Sequence, residues 1–128
     1  MSDKFIVEII TPDQTIFKHE ASEVTIPSYE GQMGILKDHI PLITFLRPGL
    51  IKITSDKEKK YYVEEGTVEF SNNNLLILTS TVKNLINFDK ESISSLIQKE
   101  EAKLNDPNIT DKEKYMASHK IETLKEIN

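Results

Sequence analysis

The chain has no cysteine, only four glycines, three histidines and, among sixteen basic residues, a single arginine, Arg47. Without cysteine, disulfides, thiolate nucleophiles, zinc ribbons and iron–sulfur clusters are excluded. Gly31, Gly34, Gly49 and Gly66 form neither a dinucleotide-binding fingerprint nor a P-loop, since both need clustered glycines between a strand and a helix. His19, His39 and His119 are scattered and form no pair at metal-ligand spacing, so no metal site is expected. No apolar run approaches the roughly 18 residues that cross a bilayer. Residues 1–4 lack the basic start and apolar stretch of a signal peptide, so neither lipid insertion nor export is expected. A net charge of -5 disfavours polyanions, which argues against nucleic acid as a partner. Proteins and neutral ligands remain.

What is present, 128 residues of which 38% are hydrophobic, suffices for one domain with a small appendage. Up to about residue 88, short clusters rich in Ile, Val, Phe and Tyr are separated by turn residues. Strands are expected over residues 4–10, 15–18, 23–27, 32–36, 41–46, 50–55, 60–64, 67–70, 75–79 and 82–85. About ten short strands at this spacing suggest a sandwich or a barrel. Ile51 and Ile53 alternate with Lys52 and Thr54, and Val68 and Phe70 with Thr67 and Glu69, which predicts one wet face per strand. Residues 75–78 are apolar on both faces and are expected at the centre of a sheet.

After Phe88 the period changes from two to three and four. Asp89 is a predicted N-cap, flanked by Phe88 and Ile93 at the positions of a hydrophobic staple. Ile93, Leu96, Ile97 and Leu104 form a narrow stripe, residues 105–108 stop the helix, and Thr110-x-x-Glu113 reads as a capping box that opens a second one. Ala117, Ile121 and Leu124 share a face of that helix. The stripes are too narrow for a separate core, so an antiparallel α-helical hairpin over residues 88–128 is expected to lean on the β domain of residues 1–87.

Chemistry is sparse. Asp38 and His39 are the most tempting acid–base pair, but neighbours in an extended chain point to opposite faces. The charge runs of residues 56–60 and 99–103 read as solvated surface. Tyr61 and Tyr62 place one ring on each side of their strand. With Tyr29 they suggest an alternative, a ligand-binding β-sandwich module with a tyrosine stacking platform. No catalytic or cofactor-binding residue emerges, and an enzyme is not expected.

The longest distinctive stretch is Glu30-Gly31-Gln32-Met33-Gly34-Ile35-Leu36-Lys37-Asp38-His39-Ile40-Pro41-Leu42, followed by Leu46-Arg47-Pro48-Gly49. It resembles the G-x-x-G-I-L-x-x-H-x-P-L…L-x-P-G signature of the epsilon-subunit family of F-type ATP synthases, whose mitochondrial counterpart is called delta. Ile10-Thr11-Pro12-Asp13, residues 23–27, residues 63–70 and residues 75–79 agree in order, so the likeness spans the chain.

The resemblance implies a β sandwich of about ten strands followed by a C-terminal antiparallel α-helical hairpin. It implies a central-stalk rotor subunit that joins the membrane ring of c subunits to gamma and has no chemistry of its own. Gln32, Met33 and His39 are implied ring contacts, with the Gly31–Gly34 stretch and the His39 region at one end of the sandwich; family members often carry Glu where this chain has Gln32. The hairpin, with Asp89, Ile93, Leu96, Ile97, Ala117, Ile121 and Leu124, is the implied regulatory element and meets alpha and beta transiently. Some members bind ATP through Ile/Leu-Asp-x-x-Arg-Ala. Here Phe88-Asp89-Lys90-Glu91-Ser92-Ile93 keeps the aspartate and lacks the arginine, so ATP binding is not expected. A short, mixed-charge second helix predicts weak or absent inhibition of ATP hydrolysis. The implied location is the cytoplasmic face of a bacterial inner membrane, peripherally attached.

Overall fold

The structure, a computed structural model, describes residues 3–127. The expectations for residues 1, 2 and 128 lie outside them. Alternating apolar residues build ten strands: β1 (Phe5–Ile10), β2 (Thr15–Ala21), β3 (Glu23–Ser28), β4 (Gly31–Leu36), β5 (Leu42–Leu46), β6 (Gly49–Thr54), β7 (Glu58–Val63), β8 (Gly66–Ser71), β9 (Asn74–Thr79) and β10 (Val82–Asn84). One layer runs β10-β7-β6-β3, with β4 on the free side of β3, and the other runs β5-β8-β9-β1-β2. The layers are stitched at one corner by the Ser28–Leu46 pair between β3 and β5. All pairings are antiparallel except β1 with β9.

The buried face of each strand is its apolar one. Phe5, Val7 and Ile9 of β1 meet Val24 and Ile26 of β3, Ile51 and Ile53 of β6, Val68 and Phe70 of β8, and Leu75 and Ile77 of β9 in one continuous core. Edge-on aromatic contacts tie it, with ring centroids 5.6 Å apart for Phe5 and Phe70 and 6.1 Å for Phe17 and Tyr61. Interdigitated faces of this kind make a stiff two-layer sandwich. Two glycines are demanded by packing. A Cβ on Gly66 would lie 2.4 Å from the Leu78 carbonyl oxygen, and one on Gly49 would lie 2.5 Å from Pro27 Cβ.

A single 3-10 turn (Leu85–Asn87) leads into helices α1 (Lys90–Leu104) and α2 (Asp111–Ile127). Asp89 caps α1, its Oδ1 accepting from the Ser92 amide at 2.7 Å. The reciprocal capping box is formed at α2, where Thr110 Oγ1 accepts from the Glu113 amide at 3.1 Å and the Glu113 carboxylate accepts from the Thr110 amide at 3.2 Å. The helices pack on each other and on the outer face of the first layer. There Ile93, Ile97 and Leu124 close over Tyr62 and Phe88, flanked by Leu50, Leu85, Leu96 and Ile127.

Candidate functional site: two surfaces and a docked hairpin

Strand β4 starts beside Ser28 and ends beside Glu23, so it runs the length of the first layer. Gln32 is exposed near its start, and Met33, one residue on, turns inward and packs on the core. His39 follows the other end of the strand. The implied placement of Gly31–Gly34 and the His39 region at one end is therefore corrected in part: Gly31 opens β4, Gly34 lies in mid-strand, and His39 follows the far end, since the extended strand carries the chain from one to the other. Asp38 and His39 form no dyad. Asp38, with φ of 66°, is clasped by Asn73: the Asp38 amide donates to Asn73 Oδ1 at 2.7 Å and Asn73 Nδ2 donates to Asp38 Oδ1 at 3.0 Å. His39 Nδ1 pairs with the Ile40 carbonyl oxygen at 2.7 Å while its ring stands edge-on to Phe70. The clasp holds Ile40 out into solvent at 74% exposure.

No tyrosine platform exists. Tyr61 is buried in the sandwich core and Tyr62 under the hairpin, on opposite faces of β7, while Tyr29 stacks on Tyr115 of α2 at 5.6 Å. The hairpin residues Ile93, Ile97, Ala117, Ile121 and Leu124 are buried and Leu96 is half-buried. Met116, Thr123 and Glu100 are buried with them and were not expected. Glu100 corrects the reading of residues 99–103 as solvated. It lies three residues after Ile97 and seven after Ile93, on the docked side of α1.

Around Glu100 the hairpin joint is ionic. Lys120 Nζ lies 3.0 Å from Glu100 Oε1 and 3.5 Å from Glu64 Oε1, and Lys103 Nζ lies 2.9 Å from Glu100 Oε2. Tyr62 donates its hydroxyl to Glu64 Oε2 at 3.0 Å. Burial pushes the Glu100 carboxyl up, but the hydrogen bonds and charges of Lys103 and Lys120 outweigh it and hold the group below its usual range. Burial likewise pulls Lys120 down, and Glu100 and Glu64 together carry it above its usual range. Both stay ionised. Burial, with Glu64 next, drives the Tyr62 hydroxyl far up, so it remains a donor.

The outer face of the second layer is uncovered. Reading across the strands, one row is Phe45, Thr67, Leu78 and Ile10, and the next is Ile43, Glu69, Leu76 and Glu8. Ile43 is 76% exposed and Phe45 58%. An open groove of about 460 Å³ beside Gly66 is lined by Ile10, Pro12, Leu78 and Thr79 among others. Among the described residues no group of three acidic or histidine side chains could hold a metal. The chemistry offered is that of an apolar surface with acidic points.

Such a molecule, a two-layer sandwich with an unpartnered sheet face and a docked helical pair, is built to meet other chains. Residues 4–84 match the family described as ATP synthase, Delta/Epsilon chain, beta-sandwich domain. The chain is 48% identical to the ATP synthase epsilon chain of Pelagibacter ubique (strain HTCC1062) over the whole of both. It is 35% identical to the mitochondrial ATP synthase subunit delta of Schizosaccharomyces pombe, across 81% of this chain and 65% of that one. A chain in the cryo-EM structure of the Euglena gracilis mitochondrial ATP synthase OSCP/F1/c-ring shares the fold with a TM-score of 0.83, at 21% identity, over 98% of this chain and 82% of that one. The chain belongs to the ATP synthase delta/epsilon family.

Proposed function

We propose that the chain is a non-catalytic rotor subunit in the central stalk of a proton-translocating F-type ATP synthase, joining the membrane ring of c subunits to gamma. The observation that carries this reading is the bare apolar face of the second layer. A monomer gains nothing by leaving Ile43, Phe45 and Leu78 in water. Docked on gamma they become the centre of an interface, with Glu8 and Glu69 as points for basic side chains. A coupling part must resist shear, and the packed sandwich core supplies that stiffness.

The membrane ring is met along β4. This strand is open on one side, and Gly34 lacks the steric need that Gly66 has, since a Cβ there would find only Glu23 Oε2 at 3.8 Å. A glycine with room for a side chain suits close approach by another backbone. Gln32 by its exposed side chain, Met33 by its backbone on the open edge, and His39 at the far end are the contacts. The hairpin, held by Ile93, Leu96, Ile97, Ala117, Ile121 and Leu124 behind the Asp89 cap, is the regulatory element. It reaches alpha and beta transiently, restrains ATP hydrolysis weakly and takes no ATP itself. Location follows from assembly: the cytoplasmic face of a bacterial inner membrane, peripherally. The test is co-expression with the gamma subunit of the same enzyme. The expected result is co-purification in one-to-one ratio; a chain that elutes alone under low and moderate salt refutes the reading.

A further inference from the structure

Glu100 is the one charged side chain buried among the described residues, at 3% exposure, and its partners come from both helices, while Lys120 carries the contact on to the sandwich. We propose that Glu64, Lys120 and Glu100 form an ion latch that fixes the hairpin to the sandwich and sets its release. Use of that release in regulation rests on the hairpin reading above; the latch itself rests on the geometry. The joint has two halves. Toward the chain's end Tyr62, Phe88, Ile93, Ile97 and Leu124 make an apolar contact. Toward the loop between the helices Lys120 bridges, 3.0 Å from Glu100 on α1 and 3.5 Å from Glu64 just after β7, beside the stack of Tyr29 on Tyr115. Tyr62 holds the Glu64 carboxylate by its second oxygen, leaving the first for Lys120.

Buried ion pairs contribute little net stability, because desolvation offsets attraction, yet stranding one partner is costly. A hairpin docked in another register would keep Glu100 paired with Lys120 and Lys103 but part Lys120 from Glu64, so the Glu64–Lys120 contact is what selects the docked pose. On undocking, Glu64 and Lys120 regain water, which makes release easier than peeling off an apolar contact of equal size. The contact is therefore specific and reversible.

The test is amide hydrogen exchange on the intact chain. Glu64→Gln keeps an acceptor for Tyr62 and leaves the Glu100–Lys120 and Glu100–Lys103 pairs within the hairpin, removing only the charge across the joint. Freed helices of this length are marginal alone. Exchange over residues 90–127 is expected to rise about tenfold in the variant at low salt, with the strands unchanged. Wild-type hairpin protection should fall with added salt toward that of the variant. Lys120→Met, which keeps the apolar stem, removes the bridge to Glu64 and leaves Glu100 with Lys103 alone, should release the hairpin further. Equal hairpin exchange in wild type and Glu64→Gln overturns the latch, as does a rise spread equally over hairpin and strands. Because the readout uses the chain alone, latch failure leaves the gamma pull-down unaffected, and failure of that pull-down leaves the exchange result standing.

Discussion

Gly66 and Gly34 are the same residue type in the two layers of one sandwich, with different reasons for being there. Gly66 faces the Leu78 carbonyl oxygen and Thr79, so Gly66→Ala forces two strands apart and should cost about 1–3 kcal/mol in urea unfolding. Gly34→Ala should stay within about 0.5 kcal/mol, because its space is open, and its effect should surface only in the assembled complex. A Gly34→Ala loss as large as that of Gly66→Ala would contradict the assignment. His119 carries a pH prediction. Burial, then Arg47, hold its pKa below the ordinary value, with Glu122 opposing, while its ring packs on Tyr115 at 4.4 Å. A lowered folded pKa means full stability above the unfolded value of about 6.5 and loss as pH falls through the folded one. Thermal melts should therefore decline below about pH 6.5, and less steeply in His119→Gln; identical slopes would refute this. Of these residues Gly66 drew no structural reading from the sequence, and Glu100 was hidden in a charge run. Its spacing from Ile93 and Ile97 was the available signal, overridden by its charge.

Elements were easier to read than their neighbours. Asp89 and the Thr110–Glu113 box mark helix starts through local hydrogen bonds, which depend on a few adjacent residues. Strand number and order followed because alternation and turn chemistry are also local, but β2 runs on to Ala21 past its expected end at residue 18 and β7 starts at Glu58, before the expected residue 60, where polar residues carry the strand. β9 is central as expected, but its second face stays open at Leu78, since centrality within a layer says nothing about what covers it. The hairpin's docking face, on Leu50 and Tyr62, was not legible, because it depends on which layer β7 joins. At this scale Leu124→Ala, in a fully buried position, should cost about 2–5 kcal/mol of docking and leave the strands protected from exchange. Deleting residues 89–128 should leave ATP hydrolysis by the assembled complex little changed; a several-fold rise would show strong inhibition by the hairpin instead.

For the whole molecule, what matters is which of the sandwich's two outer faces is free. The hairpin covers part of the first layer and leaves the second bare, an asymmetry that alternation within single strands could not reveal. It emerges only once register aligns Phe45, Thr67, Leu78 and Ile10 in one row. Those side chains contribute nothing to the core, so Phe45→Glu with Leu78→Glu should leave the fold intact while abolishing attachment to gamma. The decisive measurement is ATP-driven proton pumping in membranes from cells whose own copy is replaced by wild type or by this double variant, each checked for normal folding. Wild type should restore pumping and the variant should not. Full pumping with the variant would mean that the bare face is not the one gripped by the rotor.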